Sequence, residues 1–333
     1  MEARKVQVTG GSTYIVSLPK LWARNVRLKA GDTVFLEPLG DTLVLHLRGH
    51  NHKDSRTKVL QVDKGERQEH VLRKLIGAYV TGYRFIELRF PSSDAATARG
   101  IARDFTRMVI GAEIVEETGG RVLIQDLADP MELSPDKCLR RMYMTVRSMV
   151  EDSMEALMAG DSAKAADVPP RDQDVDRLYW MVAKQYHLAV TDPSYLATYS
   201  LREELHHFRI AAKALERIGD HGERIASAIL ELEANGVDAR LLQIVQEASR
   251  FAVSTLDRAF KALMGNDLHA ANEAVDAQEI LGHMTEELSN EVRGASGVQM
   301  LPLATVVDSI SRIGGYASDI AEVAINHVVG RED

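Results

Sequence analysis

The sequence predicts a multidomain protein in which a small β domain and a small α/β domain precede an all-α bundle of two three-helix repeats. Three observations support this prediction. Apolar and polar residues alternate over residues 4–48, strand and helix periods follow each other over residues 57–127, and a helical period persists from residue 134 onward. The 333 residues are too many for one ordinary core. The predicted domains are residues 1–50, 57–130 and 134–330, the last divided into repeats 134–235 and 238–330.

The composition is that of a soluble globular protein, with 45% apolar and 27% charged residues. No uninterrupted apolar run approaches the ~18 residues of a membrane span, so none is expected. The first residues lack the apolar region of a signal peptide. Cys138 is the single cysteine, which excludes an internal disulfide framework and a Cys-rich zinc site. We therefore expect a cytoplasmic protein.

The net charge of −9 is unevenly distributed along the chain. Residues 1–60 contain ten Lys/Arg and five Asp/Glu, whereas residues 131–333 contain 20 basic and 33 acidic residues. A basic N-terminal segment on an acidic body indicates that the two ends contact different partners.

The N-terminal segment has the pattern of two short hairpins. Gly10-Gly11-Ser12 and Gly40-Asp41 are typical turns, and Pro19 suits the first position of a helix. About 45 residues with so few apolar side chains make a poor independent core, so intertwining with a second chain is expected. The predicted strands are residues 4–9, 13–18, 33–39 and 42–47, with a helix over residues 20–25.

This segment resembles the SpoVT/AbrB swapped-hairpin family through Gly11-Ser12, residues 16–23 (VSLPKLWA) and residues 28–34 (LKAGDTV). In that family two chains exchange hairpins to form one barrel whose basic face contacts DNA, although many members act mainly as dimerisation units. The resemblance implies a homodimer. From charge alone, the basic residues fit an ordinary solvated surface equally well. The candidate DNA phosphate contacts are Arg4, Lys5, Lys20, Arg24 and Arg27.

The middle segment alternates strand and helix patterns without a Gly-rich phosphate loop or a nucleophile motif. It is therefore interpreted as a spacer or a dimer-contact domain. The predicted elements are a strand at 58–62, a helix at 66–79, a strand at 84–90, a helix from Asp94 to about Gly111, and a hairpin of 113–117 with 121–126.

From Ser134 onward the pattern is helical and it repeats. Residues 155–161 (EALMAGD) recur as 261–267 (KALMGND), and residues 215–221 (LERIGDH) recur as 310–316 (ISRIGGY). Two offsets near 100 residues predict two copies of a three-helix unit. The predicted helices are residues 134–159, 170–190, 193–233, 239–264, 268–292 and 303–329.

Two carboxylate pairs have the spacing that places both members on one helix face. Asp172 and Asp176 lie in the second predicted helix, and Glu216 and Asp220 lie in the third. Like charges at positions i and i+4 repel by roughly 0.2–0.5 kcal/mol. Two such pairs in one bundle suggest a cation that offsets the repulsion.

The repeated unit resembles the PhoU family of phosphate-uptake regulators over residues 134–329. In that family E/D-x-x-x-D motifs on neighbouring helices bind metal clusters on the bundle surface, which implies a metal site at the two acidic pairs. In the second repeat Asp276 is expected to remain, with Ile280 in place of its partner acid. Ser311 and Gly315 replace the other pair, so the second site is expected to be lost.

Hard carboxylate oxygens suit iron, manganese, magnesium or calcium better than copper. The alternative is that the acids form ion pairs on a solvated surface. The candidate metal ligands are Asp172, Asp176, Glu216 and Asp220, and the arginines available for ion pairing are Arg177, Arg217 and Arg224.

Glu204-x-x-His207 has the spacing used in ferritin-like di-iron bundles, but those sites need the motif on two helices and the chain has one copy. His206 and His207 are therefore expected to be exposed helix residues. His221 is expected to be an outer metal ligand or polar surface. No catalytic signature is present, so the chain is not expected to be an enzyme.

Together these inferences predict a cytoplasmic, homodimeric regulator that restrains a phosphate ABC transporter or its signalling partners, with a head that binds DNA. One alternative is a transporter adaptor whose head only dimerises. The other is a ferritin-like metal-binding bundle.

Overall fold

The computed structural model describes residues 2–39, 42–47, 57–130, 132–191, 195, 202–232, 237–294 and 300–331. The chain divides into two compact units, residues 1–55 and residues 56–333. The predicted turn at Gly40-Asp41 and residues 50–55, a polar segment predicted to link the first two domains, lie outside the described residues. Within the described part of the chain, no helix combines the length and the apolarity needed to cross a membrane.

The first unit contains two antiparallel hairpins and one short helix, as predicted. Gly10 and Gly11 have φ of 65° and 81°, which glycine adopts without steric cost, and they turn the first hairpin. Its strands are shorter than predicted because only Gln7 to Thr9 pair with Thr13 to Ile15. The elements are β1 (Gln7–Thr9), β2 (Thr13–Ile15), α1 (Lys20–Asn25), β3 (Phe35–Leu39) and β4 (Thr42–His46).

The described side chains of this unit do not form a buried apolar core. Among its side chains whose burial is described, none is fully buried. Tyr14 is 77% exposed and Leu21 is 73% exposed. Large apolar side chains gain about 1.5–3 kcal/mol each on burial, so their exposure leaves most of the available stabilisation of this unit unused. Further exposed apolar residues are Val6, Val8, Ile15, Val16, Phe35, Leu36 and Leu43.

The second unit begins with a four-stranded sheet of order β5-β6-β8-β7. β5 and β6 are parallel, and the other neighbours are antiparallel. Helix α3 ends before the predicted Gly111 because Val109 is already extended. The elements are β5 (Thr57–Gln61), α2 (Gln68–Val80), β6 (Phe85–Arg89), α3 (Ala95–Met108), β7 (Ala112–Glu117) and β8 (Arg121–Asp126).

The rest of this unit is the predicted helical bundle. Gly160 and Asn266 close corresponding helices with φ of 64° and 56°, so the repeated sequence makes the same left-handed cap twice. The last helix begins three residues before the predicted start, since Pro302 is tolerated in a first turn. The helices are α4 (Pro135–Ala159), α5 (Ser162–Ala166, not predicted), α6 (Pro169–Thr191), α7 (Arg202–Leu230), α8 (Ala239–Gly265), α9 (Leu268–Gly294) and α10 (Met300–Val329).

The two repeats share one core. Helices α4, α6 and α7 pack together in the first repeat, and α8, α9 and α10 pack together in the second. Contacts of α7 with α10 and of α4 with α8 join the repeats. The predicted start of this third helix at residue 193 and its predicted end at residue 233 lie outside the described residues.

A buried ion pair joins the α/β region to the bundle. The Lys184 ammonium on α6 contacts the Asp126 carboxylate at the end of β8, and their side chains are 3% and 8% exposed. The same ammonium lies 4.5 Å from the ring centroid of Tyr79. Gln185 donates from Nε2 to the backbone carbonyl of Pro130 at 2.8 Å. Helix α6 therefore connects the α/β region directly to the rest of the bundle.

Candidate functional site

The packing of α6 against α7 brings both predicted acidic pairs to one place. Asp172 and Glu216 are buried, whereas Asp176 and Asp220 are half-buried. A carboxylate excluded from water costs free energy unless a proton, a donor or a cation compensates it. The four residues selected by spacing thus form one partly desolvated cluster.

The pKa values show that these carboxylates interact. The pKa of Asp172 rises to about 7, first because the group is buried and then because of Asp176, Asp220, Glu223 and Glu216. The pKa of Asp176 rises to about 6, again through burial first, followed by repulsion from Glu216 and Asp220. Glu223 is a fifth member that was not predicted from the sequence. It follows Glu216 by seven residues, or two helical turns, and this spacing could have indicated that both lie on the same helix face.

Asp172 is the least compensated member of the cluster. Its Oδ1 is buried without a hydrogen-bond partner among the described residues. This oxygen fits against the next helix because Gly219 has no side chain, and a Cβ there would lie 2.6 Å from it. A glycine at this position therefore makes room for a carboxylate between the two helices.

One cation partly compensates the cluster. Lys213 Nζ lies 2.5 Å from Glu216 Oε2, and the same ammonium lies 4.9 Å from the ring centroid of Tyr179. The arginines considered as ion-pair partners are engaged differently: Arg177 pairs with Asp174 at 3.9 Å, and Arg217 stacks over Tyr316 at 5.4 Å. The third candidate, Arg224, is exposed, and within the described residues none of the three arginines forms an ion pair with the four predicted ligands.

The donor set fits a hard cation by two criteria. Carboxylate oxygens are the ligands that magnesium, manganese and iron accept, and the Asp172 oxygen is buried without a partner. Over the residues that the structure describes, no three His, Cys, Asp or Glu side chains already stand in a metal-binding arrangement. The cluster is thus a group of interacting carboxylates and does not form a closed coordination shell among the described residues.

The second repeat has a neutral counterpart of this cluster. Its residues differ from the predicted Asp276 and Ile280. Gly314 occupies the place of Gly219, and a Cβ there would lie 2.9 Å from Gln278 Oε1, which is also buried without a partner among the described residues. Gln278 is therefore the counterpart of Asp172. The predicted Asp276 and Ile280 are exposed, because they lie on another face of α9.

The alignment of Gln278 with Asp172 changes which residues replace the acids in the second repeat. The residue four positions after Gln278 is Gly282, which replaces the second acid of that helix. Ser311 and Gly315 replace the acids of the other helix, as predicted. All four positions of the second repeat are therefore neutral.

His207 and His221 differ from their predicted environments, whereas His206 does not. His221 is 5% exposed and its Nδ1 lies 3.2 Å from Ser309 Oγ of α10, so it belongs to the contact between the repeats. Burial lowers its pKa. His206 is exposed as expected, but His207 is half-buried and its Nδ1 lies 3.1 Å from His327 Nδ1.

The five basic residues proposed for DNA contact all lie on the surface of the first unit. Arg4 forms an ion pair with Glu2. Arg27 has φ of 58°, a left-handed conformation uncommon for a residue with a side chain, directly after the short helix. Their exposure leaves them accessible to an anionic partner.

The PhoU domain matches residues 139–229 and again residues 245–324, which confirms the predicted duplication. The domain described as antidote-toxin recognition MazE, bacterial antitoxin, matches residues 7–48. The phosphate-specific transport system accessory protein PhoU homolog of Rhizobium meliloti is 26% identical over 196 residues, covering 55% of this chain and 79% of that protein. The protein of the same description from Caulobacter vibrioides is 29% identical over 163 residues, covering 46% of this chain and 64% of that protein.

Two solved structures have the same fold. PhoU from Pseudomonas aeruginosa is 20% identical with a TM-score of 0.53, covering 60% of this chain and 98% of that chain. The phosphate transport system regulatory protein PhoU from Streptococcus pneumoniae is 19% identical with a TM-score of 0.52, covering 61% of this chain and 96% of that chain. These matches confirm the predicted fold of the helical bundle.

Proposed function

Because the chain belongs to the PhoU domain family, we propose that it is a non-enzymatic regulator of phosphate uptake. The supporting observation is that the PhoU domain matches both repeats and that the similar curated proteins are accessory proteins of phosphate-specific transport systems. The chain would work in the cytoplasm and restrain a phosphate ABC transporter or its signalling partners.

The cluster between α6 and α7 is the proposed metal site. Asp172, Asp176, Glu216 and Asp220 would hold iron, manganese or magnesium, and a bound cation would supply the positive charge that offsets their repulsion. The unpartnered oxygen of Asp172 supports this assignment. Lys213 already neutralises Glu216 in part, so its ammonium would compete with the ion for that carboxylate.

The proposed site is restricted to the first repeat. The corresponding positions of the second repeat are an amide, a hydroxyl and two glycines, and these groups neither repel one another nor attract a cation strongly. One face of the bundle would thus respond to metal while the opposite repeat keeps a fixed structure. This asymmetry would give a partner protein one metal-dependent face to bind.

We propose that the head forms a homodimer. The exposed apolar side chains of both hairpins, with no buried side chain among those described, support a second copy of the chain as their cover.

DNA binding is the proposed second role of the head. Lys and Arg side chains bind DNA phosphates and release counterions, so affinity falls steeply with salt. An electrophoretic shift across a salt series tests this role, with Lys20→Ala and Arg24→Ala as variants. The absence of a shift even at low salt would favour the alternative, a transporter adaptor whose head only dimerises.

Phosphate uptake measured in cells tests the main proposal. Removal of this chain from its host should raise the rate of phosphate uptake in phosphate-rich medium, and re-expression should restore the lower rate. An uptake rate that is unchanged by both steps would contradict the proposal. A variant without residues 1–55 separates the contribution of the bundle from that of the head.

A further inference from the structure

A second group of metal-binding side chains lies apart from the carboxylate cluster, where the first turns of α7 meet the last turns of α10. Glu204 Oε1 lies 3.5 Å from Arg331 Nη2, and His207 Nδ1 lies 3.1 Å from His327 Nδ1. The two contacts follow each other along antiparallel helices. Glu204, His207 and His327 therefore face the same junction, although 120 residues separate the two histidines.

The two imidazoles are arranged so that their ring nitrogens converge. The ring planes are inclined by 81° with centroids 5.2 Å apart, and His327 is only 3% exposed. A neutral imidazole has one donor and one acceptor nitrogen, so in the metal-free chain one Nδ1 donates its proton to the other, and a bound cation would replace that proton. The structure therefore places two potential nitrogen ligands at the junction.

The nitrogen separation is that of two ligands on one ion. Metal–nitrogen bonds are about 2.0–2.1 Å long, so two of them at roughly 90–109° place the nitrogens about 2.9–3.4 Å apart. The observed 3.1 Å between the Nδ1 atoms lies within this range.

Glu204 is the available oxygen donor. It precedes His207 by three residues and thus shares its helix face. Its ion pair with Arg331 is long and about one third exposed on both sides, so little is lost when the carboxylate rotates away. His206 is a poorer candidate because its exposed ring lies beside Tyr186, with centroids 5.7 Å apart and ring planes inclined by 42°.

We propose that His207, His327 and Glu204 form a binding site for a divalent transition-metal ion of the zinc class, which fastens α7 to α10. Imidazole nitrogens suit zinc, whereas magnesium and calcium prefer oxygen donors. The site is thereby chemically different from the carboxylate cluster. The Glu-x-x-His motif on α7 needed a partner from another helix, and His327 provides it.

Calorimetric titration of the metal-free full chain with Zn²⁺ in excess Mg²⁺ tests this site. The wild type and the matched control His206→Gln should each bind one Zn²⁺ per chain at this site. His207→Gln and His327→Gln should bind that ion at least tenfold more weakly. The double variant Asp176→Asn/Asp220→Asn should still bind this one Zn²⁺ per chain with the affinity of the wild type. Because His327 is buried, its substitution could disturb the fold, so thermal unfolding of each variant is measured without metal. His207 is only half-buried, so His207→Gln tests the site with less risk to the fold.

A second measurement uses Co²⁺ as the spectroscopic probe. The visible absorption of bound Co²⁺ should be present in the wild type and in His206→Gln, and absent in His207→Gln. Full Zn²⁺ binding by both His207→Gln and His327→Gln would overturn the proposal. Loss of Zn²⁺ only in Asp176→Asn/Asp220→Asn would also overturn it, and would assign the ion to the carboxylate cluster instead.

Discussion

The carboxylate of Asp172 lies against Gly219 of the neighbouring helix, so closely that a Cβ on Gly219 would come within 2.6 Å of Asp172 Oδ1. The same relationship recurs in the second repeat between Gln278 and Gly314, at 2.9 Å. The duplicated fold thus keeps the space for a polar side chain between the two helices while the charge is kept in one repeat only. This difference leads to the first three predictions.

Gly219→Ala should weaken metal binding at the carboxylate cluster. The new methyl group would displace Asp172, and misplacement of a ligand typically lowers affinity by roughly 10–100-fold. Titration with Mn²⁺ measures the effect. The matched control is Gly77→Ala, a helical position with open space around it, which should bind normally and gain up to about 1 kcal/mol of stability. Equal affinities of all three proteins would contradict the assigned role of Gly219.

Asp176→Asn combined with Asp220→Asn should abolish binding of Mn²⁺ or Fe²⁺, since one negatively charged donor is lost from each helix. Without metal, the double variant should be more stable than the wild type because repulsion between the helices decreases. Calorimetric titration and urea unfolding measure the two effects. Asp276→Asn is the control, because that acid is exposed in the second repeat. Binding that survives the double substitution would show that these acids are not ligands.

The metal-free protein should lose stability as pH rises. The pKa of Asp172 is about 7 in the folded chain, above the usual carboxyl value, so between about pH 4 and pH 7 the folded state binds more protons than the unfolded state. The free energy of unfolding should therefore fall across this window, by on the order of 2 kcal/mol. Urea unfolding in a chelator at several pH values measures the slope. Asp172→Asn should flatten it, and an unchanged slope would refute the assignment.

Lys184→Met should strongly destabilise the unit formed by residues 56–333. The substitution leaves the Asp126 carboxylate buried without its cation, which typically costs about 3–5 kcal/mol. Burial already raises the pKa of Asp126 and lowers that of Lys184, so each charge depends on the other. Chemical denaturation measures the loss. Lys164→Met, which breaks the more exposed pairs with Glu155 and Asp152, is the control and should change stability far less. Similar losses in both variants would argue against a special role of the buried pair.

Leu21→Glu should convert the full chain from dimer to monomer. Leu21 is 73% exposed in the single chain, and a charge at this position would be unfavourable once a second head covered it. Light scattering coupled to size-exclusion chromatography measures the mass. Leu301→Glu is the control because Leu301 is 71% exposed on the bundle. A monomeric wild type, or a Leu21→Glu variant that remains dimeric, would count against dimerisation through the head.

The sequence alone was sufficient for features that depend on neighbouring residues. The turn at Gly10-Gly11 and the two acidic pairs both arise from the order of residues within one short segment. The duplication was visible for the same reason, since each copy retains its local motifs. Element ends were less accurate: α3 stops before the predicted Gly111 because Val109 is extended.

Only the tertiary structure decided which faces of distant elements meet. It added Glu223 to the cluster, placed Gln278 rather than Asp276 opposite Gly314, and brought His327 to His207 across 120 residues. The physical reason is that spacing along a helix determines which residues share its face, whereas the register between two helices results from the packing of all the side chains between them. A local pattern contains no measure of that register, so the partners of Asp172 and His207 could be found only in the folded chain.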